Sequence, residues 1–257
     1  MKSLQKVGSL GALVMALYFF LILLFVTVIL PGQGFTTPES FNDPTKALAS
    51  WTSSPILYLF NVLDLVFAVG LTLVVSALYE RLRQNESGTV RLSAAAGVVA
   101  IPLFLAAGMT AIIGMPQLAS VYARDPASAS AAYLGMNAVL GGLHFSSAFA
   151  FGWWLVLVNW NALKMSALPK PLCYVGLVFG AASILFFAVQ LLAPVTLVLG
   201  LVWTPWLGMV LWREPASLAA REAREREKFS PQPGERSVVK VKICRLVPAS
   251  LTFICEV

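Results

Sequence analysis

Residues 7–30 read VGSLGALVMALYFFLILLFVTVIL, twenty-four positions without a single charge. A hydrocarbon core about 30 Å thick is crossed by roughly 20 helical residues. In lipid the backbone has no water to bond, so each N–H and C=O must be paired within the protein. An apolar run of this length is therefore a membrane-crossing helix. Five further runs of the same kind follow, at about Pro55–Tyr79, Leu92–Met115, Ala132–Val158, Pro171–Leu192 and Val195–Trp212. The prediction is an all-α fold: a polytopic transmembrane bundle of six helices over residues 1–213. Lys2 and Lys6 ahead of the first run resemble the start of a signal peptide. However, the run is longer than the roughly 7–15 apolar residues of such a leader, and Pro31-Gly32-Gln33-Gly34 follows it in place of a cleavage site. It is read as the first span.

Composition agrees. The chain of 257 residues is 58% hydrophobic and 12% charged, with a mean hydropathy of +0.80. Soluble domains carry about 25% charged residues. The net charge is +6. Lys and Arg collect on the cytoplasmic side of membrane proteins, and sixteen of the eighteen fall on one side of the predicted spans. They are Lys2 and Lys6, then Arg81, Arg83 and Arg91, then Lys164 and Lys170, and nine from Arg213 to Arg245. Lys46 and Arg124 stand alone on the other side. The alternation requires an even number of spans and places both termini in the cytoplasm, with the lipid bilayer as the main partner. It also accounts for the basic balance without nucleic acid.

Between the spans, Asn42-Asp43-Pro44 signals a turn, and Thr45–Trp51 can form a short amphipathic piece. Trp51, Tyr58, Trp160, Trp203, Trp206 and Trp212 are expected at the membrane interfaces. Ala193-Pro194 leaves so little between spans five and six that they should form a tight hairpin. Residues 214–257 are expected to form a charged cytoplasmic helix, capped by Ser217 and carrying the i,i+4 pairs Arg221–Glu225 and Glu222–Arg226. A tail with the alternation Val239-Lys240-Val241-Lys242-Ile243 follows. Without a partner strand it is expected to be disordered or loosely membrane-associated, and this region is the place for a protein partner. Cys244 and Cys255 should stay reduced there.

The residues that do not belong in lipid are the informative ones. Asp64 is the single acidic residue inside a span, and His144 is the single histidine of the chain. An Asp at mid-membrane costs about 2.5–3.5 kcal/mol on insertion scales and normally faces a partner inside the bundle. Counted from the starts of their spans, the two residues differ in depth by about 5 Å. Asn61, Asp64, Ala68, Thr72 and Ser76 share one helical face of span two. Asn137, Gly141, His144, Ala148 and Gly152 share one face of span four. Small residues let helices approach and polar ones bond across them. Spans two and four are therefore expected to touch, with Asp64, His144, Asn61 and Asn137 sharing a polar site. Such a site either locks two helices together or handles protons or cations, since histidine titrates near neutral pH. Gly176-x-x-x-Gly180 in span five is a close-packing motif. Pro102 and Pro205 are expected to kink their helices.

Several chemistries lack their residues. One histidine does not ligate a haem from both faces, nor supply H-E-x-x-H. No Walker sequence, dinucleotide fingerprint or G-x-S-x-G elbow occurs. Ser146 and Ser147 lie too near His144 on one helix to form a protease dyad. The three cysteines, Cys173, Cys244 and Cys255, form no C-x-x-C pair. No enzyme activity, metal or cofactor is expected on these grounds.

Ser76-Ala77-Leu78-Tyr79-Glu80-Arg81-Leu82, Leu168-Pro169-Lys170-Pro171 with Tyr174-Val175-Gly176, and Trp203-x-x-Trp206-Leu207-Gly208 together resemble a family of uncharacterised bacterial six-span membrane proteins. The resemblance covers about residues 1–213. It implies a fold and a bacterial inner-membrane location, and supplies no catalytic residues. The function expected first is small-solute or proton-linked transport or sensing through Asp64 and His144. The alternatives are a non-catalytic membrane scaffold or complex subunit and, last, a lipid-modifying enzyme.

Overall fold

The computed structural model describes residues 2–35, 40, 42–53, 55–83, 88–186, 189 and 192–228. Among them all regular structure is helical. The first helix, α1, runs Lys2–Leu24 and continues through a π-helical turn, Phe25–Ile29, into Leu30–Gly32. There follow α2 (Pro44–Ser53), α3 (Pro55–Leu82), α4 (Gly88–Tyr122), α5 (Pro126–Lys164), α6 (Lys170–Leu185) and α7 (Ala193–Lys228). The chain forms two compact units, Met1–Pro215 and Ala216–Val257. Residues 217–228 are helical as expected, but they belong to α7 and do not begin at a Ser217 cap. The Val239–Ile243 alternation, Cys244 and Cys255 lie outside the described residues.

Five helical stretches are long and apolar enough to cross a membrane: Ser3–Gly32, Leu59–Leu82, Gly88–Tyr122, Pro126–Lys164 and Ala193–Arg213. Of the expected fifth span, Pro171–Leu192, positions 187, 188, 190 and 191 lie outside the described residues. The helix α6 ends at Leu185, which gives it sixteen residues, about 24 Å of rise. By contrast, α4 and α5 overrun their predicted spans at both ends. The α5 start is fixed by Asp125, whose side chain accepts a hydrogen bond from the Ser128 N–H, with Pro126 in the first turn. On the protruding ends of α4 and α5 sits α2, capped by Asp43 at the Thr45 and Lys46 N–H groups. Its Ala47 and Leu48 are buried with Ala111, Met115, Ala129 and Tyr133. The amphipathic piece expected near Thr45–Trp51 is thus an ordered helix with a docking partner. The Ser128 hydrogen bonds hold the Asp125 carboxyl below its ordinary value. A depressed carboxyl stabilises the fold above its unfolded value near 3.9 and loses that effect as pH falls through the folded value. Asp125→Ala should therefore speed amide exchange at Ser128 at neutral pH. Acidifying the wild type should lower the Ser128 protection factor, measured against the intrinsic exchange rate at each pH, whereas in Asp125→Asn, which caps without a charge, that factor should not respond to acid.

Tight helix crossings are made at glycines. Gly11 and Gly70 place α1 and α3 backbone to backbone: a Cβ on Gly11 would lie 2.7 Å from the Gly70 carbonyl oxygen. Gly152 and Gly180 do the same for α5 and α6, and Gly176 lies against the Asn159 side chain. The predicted packing role of Gly176-x-x-x-Gly180 is met by these contacts. Without a hydrophobic force between helices in lipid, such contacts bring dispersion and short backbone approaches. At the opposite end from α2, Arg81 Nε donates to the Ala167 carbonyl at 2.9 Å, and Thr89 and Asn161 bond reciprocally.

An aromatic cluster fills the middle of the bundle. Phe19 of α1, Phe67 of α3, Phe104 of α4, Phe151 and Trp154 of α5, Phe179 of α6 and Trp203 of α7 are all buried in one core. Phe67 lies at 5.7, 4.6 and 5.5 Å, centroid to centroid, from Phe19, Phe104 and Phe151. Trp203 stands edge-on to Trp154 at 6.2 Å and 6.3 Å from Phe179. This corrects the expectation for Trp203, which is 0% exposed instead of interfacial. Trp160 and Trp212 are exposed, and Lys164 and Lys6 lie over their rings. The cluster thus draws rings from six helices into one core.

Candidate functional site

Three helices deliver three side chains to one point. Asp64, in α3, is 2% exposed. Its Oδ2 lies 3.1 Å from His144 Nε2 of α5, and its Oδ1 accepts the Tyr18 hydroxyl of α1 at 3.1 Å. The predicted Asp64–His144 pairing is therefore present, and Tyr18 is a third member that the sequence reading missed. The signal was a tyrosine near the centre of a span, away from the interfacial level where tyrosines usually sit. Tyr18 also joins the site to the aromatic cluster, 4.5 Å from Phe67 and 5.4 Å from Phe19. His144 additionally bonds the backbone of Leu140, one turn back on its own helix.

The floor of the site is held by α4. A Cβ on Gly108 would lie 3.0 Å from the Asn61 carbonyl oxygen and 3.2 Å from Asp64 Cβ. The absence of a side chain there lets α4 lie directly on the Asp64 turn. Asn61, one turn before Asp64, is buried in the same region. Asn137 is not part of the site. Its Nδ2 donates to Asn42 Oδ1 at 3.2 Å, tying α5 to the segment before α2. It lies seven residues from His144, about 10 Å along the helix.

The expected contact between the two small-residue stripes is also corrected. Spans two and four touch at few positions, because α4 packs along both α3 and α5. In the lower half of α3, Ser76 is exposed, and Thr72 and Ser76 donate to carbonyls four residues back on their own helix. On α5, Gly152 packs against α6, and nothing lies within 4 Å of a Cβ placed on Gly141. The stripes coincide at the ion pair and diverge elsewhere.

Asp64 and His144 differ sharply in access. Their side chains are 3% and 42% exposed. His144 sits on the inward stripe of α5, in helical register with buried Leu140, Ser147, Phe151 and Trp154. One turn before it, nothing lies within 4 Å of a Cβ placed on Gly141. Antiparallel to α5, α6 meets it at Gly152 and again where Phe186 packs on Phe145, and ends as a helix at Leu185. The carboxylate is sealed and reached through the imidazole. In this geometry one proton can be shared between Asp64 and His144 while the phenol stabilises the second oxygen. Among the described residues no group of three or more His, Cys, Asp or Glu could hold a metal ion. No family model, curated protein or solved structure matches the chain.

Proposed function

We infer that this is a six-pass protein of a bacterial inner membrane, with both termini cytoplasmic, that senses or transports a small solute in a proton-linked manner at Tyr18, Asp64 and His144. One observation carries the reading: an accessible imidazole bonded to a sealed carboxylate near mid-helix, beside the aromatic core of the bundle. The sidedness rests on the one-sided Lys and Arg distribution. The sixth crossing would be the apolar run that α6 begins. The aromatic cluster disfavours a continuous central channel and favours a site that is loaded from one end.

The chain has one histidine, so imidazole titration between pH 5 and 8 has a single source. Infrared difference spectra of the purified protein in nanodiscs, between pH 5.5 and pH 8, should contain an imidazole band coupled to a carboxyl band. His144→Gln should remove the first and shift the second, and Asp64→Asn should shift the first. A wild-type spectrum without any imidazole signal in this interval would refute the reading.

A further inference from the structure

We propose that the site takes a lipophilic aromatic cation, which occupies the Asp64 carboxylate in competition with the His144 proton. The proposal rests on the proton-linked reading above and names the class of solute. Its first support is charge. Among the described residues Asp64 is the only buried acidic one, and its one ionic partner is His144. Among the described residues no Lys or Arg pairs with it. A histidine is a cation only when protonated, so deprotonated His144 leaves a carboxylate in apolar surroundings without a counter-charge. An unpaired buried charge is costly, and an incoming cation relieves that cost.

The second support is the wall of the site. Tyr18, which donates to Asp64, packs on Phe67 and Phe19, and Phe145, the residue after His144, packs on Phe186. Aromatic faces carry negative quadrupole potential and attract organic cations, more so when water is excluded. A hydrophilic ion such as Na+ would find one carboxylate and a phenol there, whereas hard cations take six or more oxygens. An anion would meet Asp64. The third support is access: the His144 side chain that bonds the carboxylate is 42% exposed, and nothing lies within 4 Å of a Cβ placed on Gly141, one turn before it. Binding breaks the His144 Nε2 contact with Asp64 Oδ2, forms the cation–carboxylate contact and releases the imidazolium proton to water.

The test uses the full-length protein in nanodiscs and the probe N-methylquinolinium, a planar aromatic cation without a titratable proton. Titrations are run at pH 5.5 and pH 8.5, with empty nanodiscs as background. Competition with one proton tightens binding by up to about tenfold per pH unit. The expected result is at least tenfold tighter binding at pH 8.5, with proton release measured in weak buffer. His144→Gln should bind equally at both pH values. Asp64→Asn should not bind, and Asp64→Glu, which keeps the charge, should retain binding and so separate loss of charge from loss of fold. Absence of binding by the wild type, pH-independent binding, retained binding in Asp64→Asn, or equal binding of the neutral isostere 1-methylnaphthalene each overturns the proposal. If the infrared titration of His144 and Asp64 is present while the probe fails, only the solute class falls. If the titration is absent as well, the proton-linked reading falls with it.

Discussion

Truncation of Phe67 to alanine is expected to destabilise the helix bundle by about 3 kcal/mol, the low end of the range for aromatic deletions in cores. Phe67 is 1% exposed and its ring contacts Tyr18, Phe19, Phe104 and Phe151, so its removal leaves a void bounded by side chains from α1, α4 and α5. In a soluble protein part of such a cost is transfer from water. In lipid the separated helices remain in an apolar medium, so the loss is mainly of packing contacts and ring–ring geometry. Phe67→Leu should recover most of it, since the volume is largely kept. Unfolding free energies in mild detergent, measured for both variants, decide the point. A Phe67→Ala protein within about 1 kcal/mol of wild type would mean that the cluster is not the centre of cohesion. The variant should also disturb the site, because Tyr18 rests on the Phe67 ring.

Gly152→Val is expected to have an effect of the same order by the opposite mechanism. A Cβ at residue 152 would lie 2.7 Å from the Gly180 carbonyl oxygen and 2.9 Å from Ser183 Cβ. The first obstacle is backbone, which has no rotamer to yield, so α5 and α6 must separate. Overpacking typically costs about 1–3 kcal/mol, and a displaced backbone crossing belongs at the upper end. Because the Cβ itself collides, Gly152→Ala should show most of the loss. Gly180→Ala meets the reciprocal obstacle, the Gly152 carbonyl oxygen at 2.7 Å. The double variant Gly152→Ala/Gly180→Ala should therefore lose less than the sum of the singles, since either one already breaks the shared contact. Additive losses, or a Gly152→Val protein with the wild-type melting temperature, would show that the helices adjust without separating.

The site was half legible in the sequence. Asp64 and His144 stood out because a polar residue in a long apolar run has a desolvation cost that requires a partner, and each was the only one of its kind. Asn137 was misplaced because helical periodicity fixes the face of a residue but not what lies opposite it. Asn137 shares a stripe with His144, yet its partner is Asn42 in a loop ninety-five residues away. Tyr18 was passed over because a single tyrosine in a Leu- and Phe-rich span has no sequence neighbour to mark it. The same gap explains Trp203. Composition cannot tell a tryptophan at the lipid headgroups from one turned into a bundle.

Apolar length and the need to pair every backbone group determined from sequence alone that the chain is helical, where five of its long apolar helices lie, and which two titratable residues are out of place in lipid. These are local properties: each segment carries its own solvation cost wherever its neighbours stand. Only the tertiary structure decided that α4 packs between spans two and four, that six helices share one aromatic core, and that Tyr18 joins Asp64 and His144. Such features depend on which faces meet. In a chain apolar on nearly every face the hydrophobic pattern does not choose among pairings, and glycine contacts, ring shapes and a few buried hydrogen bonds do.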